Sequence, residues 1–328
     1  MTAKRKAKLT AVAEFPMRTL LENLAVRADG SILVVASPQR QVWYVPIPQT
    51  DSLVVPILLH TFEEGHLAQC FVEAQPEIFY VATYGKPALF RFDLRGWIPG
   101  LQLTPTKVLD FDASAGPNGG ALVAPGVMLF SDCIAGSILR VDLSDDGLSA
   151  TARTWLKHDS MAAGAGRPPV KFSETMEVPF PGINGLRYGP KTKFVYYTTS
   201  SQNLFMRVAV NPDTLEPAGA PQHLADMQNV DDLCLDEVRG VAYVARHPDH
   251  IVERAALDGN TSAQSRMVMA GDPFTDQLIG PTSLDWGRGP DDYGQIAYVT
   301  TDGGTVQLAP DGVLRPARLI RIDFGAES

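Results

Sequence analysis

One strand-pair pattern recurs six times along this chain. In each copy, an apolar, β-branched and aromatic strand is followed by a short polar turn and a second strand. The copies begin at Leu33, Phe79, Met128, Val195, Ala242 and Ala297. Their separations, 46 to 67 residues, suit four-stranded blades joined by loops. The pattern predicts an all-β chain folded as a single six-bladed β-propeller with four-stranded blades.

The segments between the strand pairs favour the same architecture. They are rich in Gly, Pro, Asp and Asn, and amphipathic helical periodicity is scarce, which argues against alternating β and α units. An early strand near Leu9–Phe15 is expected to pair with the final RLIRIDF strand, because that pairing removes the exposed edge of the last blade. One domain is therefore expected over residues 1–328, with residues 1–8 as a flexible tail.

The longest interval contains a segment without strand character, residues 158–171. Small residues and two prolines predict a loop, and long loops in compact domains are often functional. The segment is interpreted either as a lid over one mouth of the propeller or as a surface insertion.

Charge and composition exclude several kinds of partner. The 328-residue chain has a formal net charge of −9, which disfavours nucleic acid and anionic membranes because both reward a basic surface. No apolar run is long enough to span a membrane, and no apolar leader follows Met1. A cytoplasmic protein is therefore expected, or a secreted one if a leader has been removed. The expected partner is a small molecule, and the sequence does not set the oligomeric state.

Four repeats carry a polar residue 10 or 11 positions before the strand pair begins. These residues are Glu22, Asn118, Asn184 and Asp231. Because equivalent positions in a propeller surround one axis, we expect the four side chains to share an axial site. Their oxygen atoms suit Ca²⁺, Mg²⁺ or Mn²⁺ better than a thiophilic metal. The alternative is that they cap strand ends and hold channel waters.

The other two repeats offer further candidates for the same rim. His66 in the second repeat is an acid, a base or a hydrogen-bond donor, and a structural histidine fits equally well. Thr282 and Ser283 in the sixth repeat are candidate substrate contacts. His247 and His250 fall in a turn between two strands, and we interpret them as solvated on the outer side. Motifs of serine hydrolases, nucleotide-binding loops and zinc clusters are lacking.

Three stretches of the sequence carry a family resemblance. ENLAVRADGSILVV, PGINGLRYGPKTKFVYYTTS and VDDLCLDEVRGVAYVAR resemble the SMP-30/gluconolactonase/LRE-like propellers, over nearly the whole chain. The resemblance implies that Glu22, Asn184 and Asp231 bind a divalent metal, that Asp231 is the base of lactone hydrolysis, and that Asn118 contacts the substrate. Asp232 stands where the family usually has Gly, so either Asp231 or Asp232 faces the axis.

Two other stretches, GPTSLDWGRG and EEGHLAQCFVEAQPEIFYVAT, resemble a fungal secondary-metabolism branch of this family. That branch includes hetero-Diels–Alderases of tropolone sesquiterpenoid biosynthesis, which are understood to work without a catalytic metal. The resemblance implies a cyclase that joins a quinone-methide-like heterodiene to an alkene. His66, Tyr84, Trp286 and Arg288 then become candidates for the pocket wall, and residues 158–171 become a closing lid.

Three functions stay open on the sequence. The cyclase is narrowly favoured on the branch resemblance; it needs no cofactor and relies on shape and on hydrogen-bond donors. The lactonase uses Ca²⁺, Mg²⁺ or Mn²⁺, with Asp231 or Asp232 taking the proton of the attacking water. The third is a non-catalytic binding propeller, since a fold does not fix a function, but such a protein has no need of axial carboxylates.

Overall fold

The computed structural model describes residues 7–47, 52–171, 177–260, 266–272 and 274–325. These residues form six four-stranded antiparallel sheets, one two-stranded ribbon, and two 3₁₀ turns at Asp159–Met161 and His247–Asp249. The sheets are the blades of a ring, so the predicted all-β, six-bladed propeller with four-stranded blades is confirmed. In this part of the chain, no helix has the length and apolar character of a membrane span.

Each of the first five blades is a run of four consecutive strands, listed here from the innermost outward. The first blade contains β2 (Leu21–Val26), β3 (Ile32–Ala36), β4 (Gln41–Val45) and β5 (Ile57–Thr61). The second contains β6 (His66–Gln75), β7 (Ile78–Gly85), β8 (Ala88–Asp93) and β9 (Thr106–Asp110). The third contains β10 (Pro117–Ala124), β11 (Val127–Asp132), β12 (Ser137–Leu143) and β13 (Ala150–Lys157).

The ribbon of β14 (Val170–Lys171) and β15 (Glu177–Val178) separates the third and fourth blades. The fourth contains β16 (Ile183–Gly189), β17 (Phe194–Thr199), β18 (Leu204–Ala209) and β19 (Gln222–Asp226). The fifth contains β20 (Val230–Asp236), β21 (Val241–Arg246), β22 (Ile251–Ala256) and β23 (Met267–Gly271). The sixth is built from β24 (Pro281–Trp286), β25 (Ile296–Thr301), β26 (Pro316–Asp323) and, as its outermost strand, β1 (Lys8–Met17).

The pairing of β1 with β26 closes the ring. Lys8 lies opposite Asp323 and Met17 opposite Pro316, so the expected closure between the two ends of the chain is confirmed. The expected tail at residues 1–8 is too long, because Lys8 already pairs in the sheet and Ala7 packs against the apolar layer between the last two blades. Residues 1–6 lie outside the described part of the chain.

The hydrophobic core consists of six apolar layers, one between each pair of neighbouring blades. Alternate side chains of a strand point to opposite faces, so each inner blade strand is buried on both sides. Cys70, Cys133 and Cys234 are free and buried, as their apolar surroundings in the sequence predict.

Every innermost strand is interrupted near its start by a β-bulge. The pairing register shifts at positions 21–23, 68–70, 117–120, 183–186, 230–233 and 281–283. A bulge leaves a residue unpaired and re-aims its side chain. The first residue inside each shift is, in blade order, Glu22, Gln69, Asn118, Asn184, Asp231 and Thr282. The fold therefore brings one re-aimed side chain per blade to a common level near the axis.

Candidate active site

Five of these six bulge residues line one central cavity of about 320 Å³. The lining of the cavity combines polar and apolar side chains. The polar lining adds Ser37, Ser200, Asn229 and His247, and the apolar lining includes Leu20, Val170, Phe180, Pro181, Val230 and Val306. The structure thus brings together Glu22, Asn118, Asn184 and Asp231, the four residues that the repeat spacing aligns.

The amide side chains of the cavity differ in how firmly they are held. The Nδ2 of Asn118 lies 3.4 Å from Oε1 of Glu22 and 3.5 Å from Oε1 of Gln69, which are long contacts for hydrogen bonds. The Nδ2 of Asn184 donates to Oγ of Ser200 at 2.9 Å. The Oδ1 of Asn184 is buried and accepts no hydrogen bond from the described residues. Because buried polar atoms are normally paired, this oxygen needs a partner from outside the protein.

The two axial carboxyl groups bind protons unusually tightly. Burial raises the pKa of Glu22 to about 7, and the nearby carboxylates of Asp232 and Asp302 add to the effect, although His247 and Asn118 oppose it. Burial likewise raises the pKa of Asp231 well above its usual range, and the charge of Glu22 adds to that rise. Two like charges in one buried cavity repel each other, so the pair is stable only with a shared proton or with added positive charge.

His247 lies in this cavity, so its interpretation as a solvated outer residue is wrong. Its side chain is 13% exposed, and its Nε2 lies 3.1 Å from Oδ2 of Asp302. Burial alone would lower the pKa of His247, but the carboxylates of Asp302, Asp231 and Glu22 raise it to about 9. The imidazole is therefore a cation at neutral pH, fixed beside the two axial carboxyl groups.

The partner of His247 is itself locked in place. Burial opposes the ionisation of Asp302, but His247 and two backbone N–H donors hold its pKa below the usual range. Its Oδ1 accepts the N–H of Gly304 at 2.8 Å and its Oδ2 the N–H of Val306 at 2.7 Å. A Cβ at Gly280 would lie 1.8 Å from Oδ1 of Asp302, so only glycine leaves room for this arrangement.

His250 is also buried, because the 3₁₀ turn His247–Asp249 folds against the start of the sixth blade. His250 is 2% exposed, and its Nδ1 accepts the N–H of Gly280 at 3.0 Å. An imidazole nitrogen that accepts a backbone N–H carries no proton, so His250 is neutral where His247 is charged. Both histidines are thus built into the fold.

Asp231 lines the cavity, and Asp232 points into a buried polar layer below it. We call this layer the axial plug and define it as Asn23, Arg187, Asp232 and Ser283. The Oδ2 of Asp232 accepts from Nδ2 of Asn23 at 2.8 Å, from Oγ of Ser283 at 2.7 Å and from the guanidinium of Arg187 at 2.6 Å. Asp232 and Ser283 are therefore engaged in structure and do not contact the cavity.

Four other candidates also lie outside the central cavity. The hydroxyl of Thr282 donates to the carbonyl of Leu21 at 2.6 Å. The Nδ1 of His66 lies 2.8 Å from the carbonyl oxygen of Lys86, so it donates to that carbonyl. The indole N–H of Trp286 donates to the carbonyl of Leu235 at 2.7 Å, and Arg288 pairs with Glu73. Thr282, His66, Trp286 and Arg288 therefore do not belong to the central cavity, whereas Tyr84 lines it.

The structure also places residues in the cavity that the sequence analysis does not name. In the second blade the cavity residue is Gln69, not His66. Gln69 stands 10 positions before Phe79, the same spacing that selects Asn118, so the rule itself identifies it. No comparable spacing marks Asn229, which lies in the loop between the fourth and fifth blades, or Ser200 and Gln307, which lie in loops between two strands of one blade.

The segment 158–171 divides into an anchored part and a part at the cavity mouth. Met161 is fully buried, and the hydroxyl of Thr199 donates to the carbonyl of Ser160 at 2.8 Å. Arg167 and Val170 line the cavity, and the Arg167 guanidinium lies 4.8 Å from the centre of the Phe180 ring. The second half of the segment therefore covers one side of the mouth, and its opening and closing as a lid stays a prediction.

Comparisons with known proteins give a structural likeness only. The chain matches no protein-family model, and no curated protein matches it in sequence. It resembles a luciferin-regenerating enzyme, with a TM-score of 0.65, 16% identity, and coverage of 98% of this chain and 96% of that one. It also resembles a gluconolactonase from Xanthomonas campestris (TM-score 0.63, 15% identity, 98% and 91% coverage). A third is regucalcin from Agrobacterium tumefaciens, described as calcium-binding (TM-score 0.62, 17% identity, 97% and 95% coverage). The structural neighbours thus include SMP-30/gluconolactonase/regucalcin-like and luciferin-regenerating-enzyme propellers, and identities this low show the shared fold alone.

Proposed function

We propose that this protein hydrolyses cyclic esters (lactones), with a divalent cation held by Glu22, Asn184 and Asp231. One observation carries the proposal. Inner-strand bulges of three different blades direct two partly buried carboxyl groups and one unpaired amide oxygen into a single cavity. The gluconolactonase among the structural neighbours makes this reaction the first to test, ahead of the cyclisation favoured on sequence alone.

The donor set fits a hard divalent cation. No three His, Cys, Asp or Glu side chains of the described residues are grouped for metal binding, so the site is unlike a zinc centre. Two carboxylates with an amide oxygen suit Ca²⁺, Mg²⁺ or Mn²⁺. The positive charge of His247 is already compensated by Asp302, which leaves the axial carboxylates to be balanced. A cation bound there would supply Lewis acidity toward the lactone carbonyl.

The side chains around these ligands provide the remaining functions. Asp231 takes the proton from the attacking water and returns it to the ring oxygen as the C–O bond of the lactone ring breaks, because burial gives its carboxylate the proton affinity of a general base. Asn118 and Gln69 hold the substrate hydroxyl groups, since their mutual contact at 3.5 Å is weak and easily exchanged for a ligand. His247, charged and fixed, stabilises the negative charge that develops on the product carboxylate.

A hetero-Diels–Alder cyclisation is the second candidate, and the apolar part of the cavity lining favours it. Val170, Phe180 and Pro181 form a wall against which an apolar heterodiene packs. The His247 cation below them would polarise the heterodiene carbonyl by hydrogen bonding. This reaction uses proximity in place of proton transfer, so it needs neither a metal ion nor the carboxylate of Asp231.

The experiment measures acid release from D-glucono-1,5-lactone with a pH indicator, with and without chelator, and the metal content of the purified protein. We expect one divalent ion per chain, loss of hydrolysis in chelator, and recovery with Ca²⁺, Mg²⁺ or Mn²⁺. Asp231→Asn should lower kcat by about 100-fold or more, because proton transfer by a positioned base contributes at least this much. Asp258→Asn, an exposed aspartate in an outer turn of the same blade, is the matched control and should retain full activity.

Two results would count against metal-dependent lactone hydrolysis with Asp231 as the base. Protein that is metal-free and inactive on lactones, but that closes a quinone methide and an alkene to a dihydropyran, supports the cyclase. If hydrolysis survives both the chelator and Asp231→Asn, neither the divalent cation nor the Asp231 base takes part in the reaction.

A further inference from the structure

A second cavity, of about 460 Å³, lies at the opposite end of the inner strands of blades four, five and six. We call it the lower cavity; its lining includes Arg187, Cys234, Leu235, Asp285, Trp286 and Tyr293. Asp231 and Leu235 are four residues apart on β20, which at about 3.3 Å per residue separates them by about 13 Å. The axial plug lies between these two levels, so the lower cavity is distinct from the proposed active site.

Asp285 contributes to this cavity a carboxylate that has no ion-pair partner among the described residues. It is partly buried, and within the described residues its carboxylate accepts one hydrogen bond, from the N–H of Trp286 at 2.8 Å. No lysine, arginine or histidine in that part of the chain pairs with it within 4.0 Å. Burial raises the pKa of Asp285, even though Arg187 and Arg288 oppose the rise. The negative charge of the ionised Asp285 carboxylate is therefore not fully neutralised by the charges around it.

The cations nearest to Asp285 have other partners. Arg187 donates to Asp232 at 2.6 Å and to the carbonyl of Leu186 at 2.9 Å, and Arg288 is paired with Glu73. Moving either guanidinium would leave a buried or partly buried carboxylate unpaired, which is costly. The protein therefore leaves one negative charge in the lower cavity for a ligand to neutralise.

The wall beside Asp285 is aromatic and held in place. The indole N–H of Trp286 donates to the carbonyl of Leu235 at 2.7 Å, and the Tyr293 hydroxyl lies 3.2 Å from the same oxygen and accepts the N–H of Glu237 at 3.0 Å. The two ring centres are 5.8 Å apart. Aromatic faces attract organic cations, and a wall fixed before binding loses little entropy when a ligand arrives.

We propose that the lower cavity binds a small organic monocation, a primary ammonium that carries an apolar or aromatic group. The ammonium meets Asp285, and the apolar part lies against Trp286 and Tyr293. Of the other charged residues of the lining, Arg187 is paired with Asp232 in the plug, Lys191 is exposed, and the Glu237 carboxylate accepts the N–H of Thr192 at 2.8 Å and its hydroxyl at 2.9 Å. The uncompensated carboxylate of Asp285 does not attract a neutral or anionic ligand. The ligand of the lower cavity is therefore expected to be a cation.

Calorimetric titration of the full chain at pH 7.5 tests this site with 2-phenylethylammonium and its neutral isostere, 2-phenylethanol. We expect saturable binding of the ammonium and at least tenfold weaker binding of the alcohol. Asp285→Asn should weaken ammonium binding by at least tenfold. Tyr293→Ala, at a side chain that is 47% exposed and therefore tolerant of truncation, should weaken it about two- to fivefold.

Glu22→Gln is the control for location, because the central cavity also contains carboxylates that attract an ammonium. Binding should be unchanged in that variant. The proposal is overturned if Asp285→Asn and Tyr293→Ala both bind as the wild type does, or if the alcohol binds as tightly as the ammonium. Loss of binding in Glu22→Gln alone would move the ammonium to the central cavity and would equally overturn it.

Discussion

Replacing Asp232 by Ala should destabilise the propeller more than any exposed aspartate does. Asp232 is 3% exposed, and one oxygen accepts from Asn23, Ser283 and Arg187, while the other accepts the N–H of Leu233 at 2.8 Å. The alanine variant leaves the Arg187 guanidinium in the plug without its carboxylate. Removing one partner of a buried ion pair costs about 3–5 kcal/mol, because the remaining charge stays desolvated.

That cost converts to a measurable shift in the melting temperature. With 328 residues and an unfolding entropy of about 2.1 cal/mol/K per residue, the chain gains roughly 0.7 kcal/mol/K on unfolding. A loss of 3–5 kcal/mol then lowers Tm by about 4–7 °C. Asp110→Ala is the matched control, because its pair with Lys107 has side chains 67% and 48% exposed. Exposed pairs contribute at most about 1 kcal/mol, so this variant should lose no more than about 1.5 °C.

Differential scanning calorimetry at pH 7.5 measures both variants. A double variant, Asp232→Leu with Arg187→Met, should be more stable than the sum of the single changes predicts, because it leaves no unpaired charge. If Asp232→Ala melts within 1.5 °C of the wild type, as Asp110→Ala should, the reasoning about the plug is refuted.

Three further predictions concern the central cavity. In chelator-treated, metal-free protein, Glu22→Gln should raise stability above about pH 7 by about 3 kcal/mol and leave it unchanged below pH 4.5. The raised pKa of Glu22 makes the wild type lose stability as the pH rises through that window; equal melting differences at pH 4 and pH 8 would contradict this. Asp302→Asn should lower the pKa of His247 from about 9, as followed by NMR titration of the imidazole, and an unchanged pKa would show that Asp302 is not its main support. Gly280→Ala should cost about 1–3 kcal/mol, because φ at this position is +63° and the added Cβ meets Asp302; a wild-type Tm would disprove the close contact.

The blade count could be predicted from the sequence because each blade repeats one strand-pair pattern. Closure of the ring was predictable for a related reason: an apolar strand near Leu9 lacks a partner unless it meets the last strand. The start of that strand at Lys8 could not be predicted, because a basic cluster resembles a solvated tail and only the structure shows the pairing of Lys8 with Asp323.

The site was predictable only where it follows the repeat. Spacing selects Glu22 and Asn184, and the same rule would have selected Gln69. Spacing does not decide between Asp231 and Asp232, because the bulge sends neighbouring residues to different levels of the axis. Nor does it find His247, whose burial depends on a turn that folds against a glycine of another blade. Contacts between blades decide both the choice between Asp231 and Asp232 and the burial of His247, and the local sequence does not reveal those contacts.

The hydrogen-bonded union of β1 and β26 has a consequence for how the protein is made. The partner strand of β1, Pro316–Asp323, is synthesised about 300 residues after Met17, the last residue of β1. At about 5–20 residues per second, β1 waits roughly 15–60 s for this partner, while the blades between them form in order. A nascent chain of this design therefore exposes an unpaired strand edge until β26 is synthesised. A chaperone that shields this edge would bind β1 early and dissociate once β26 pairs with it.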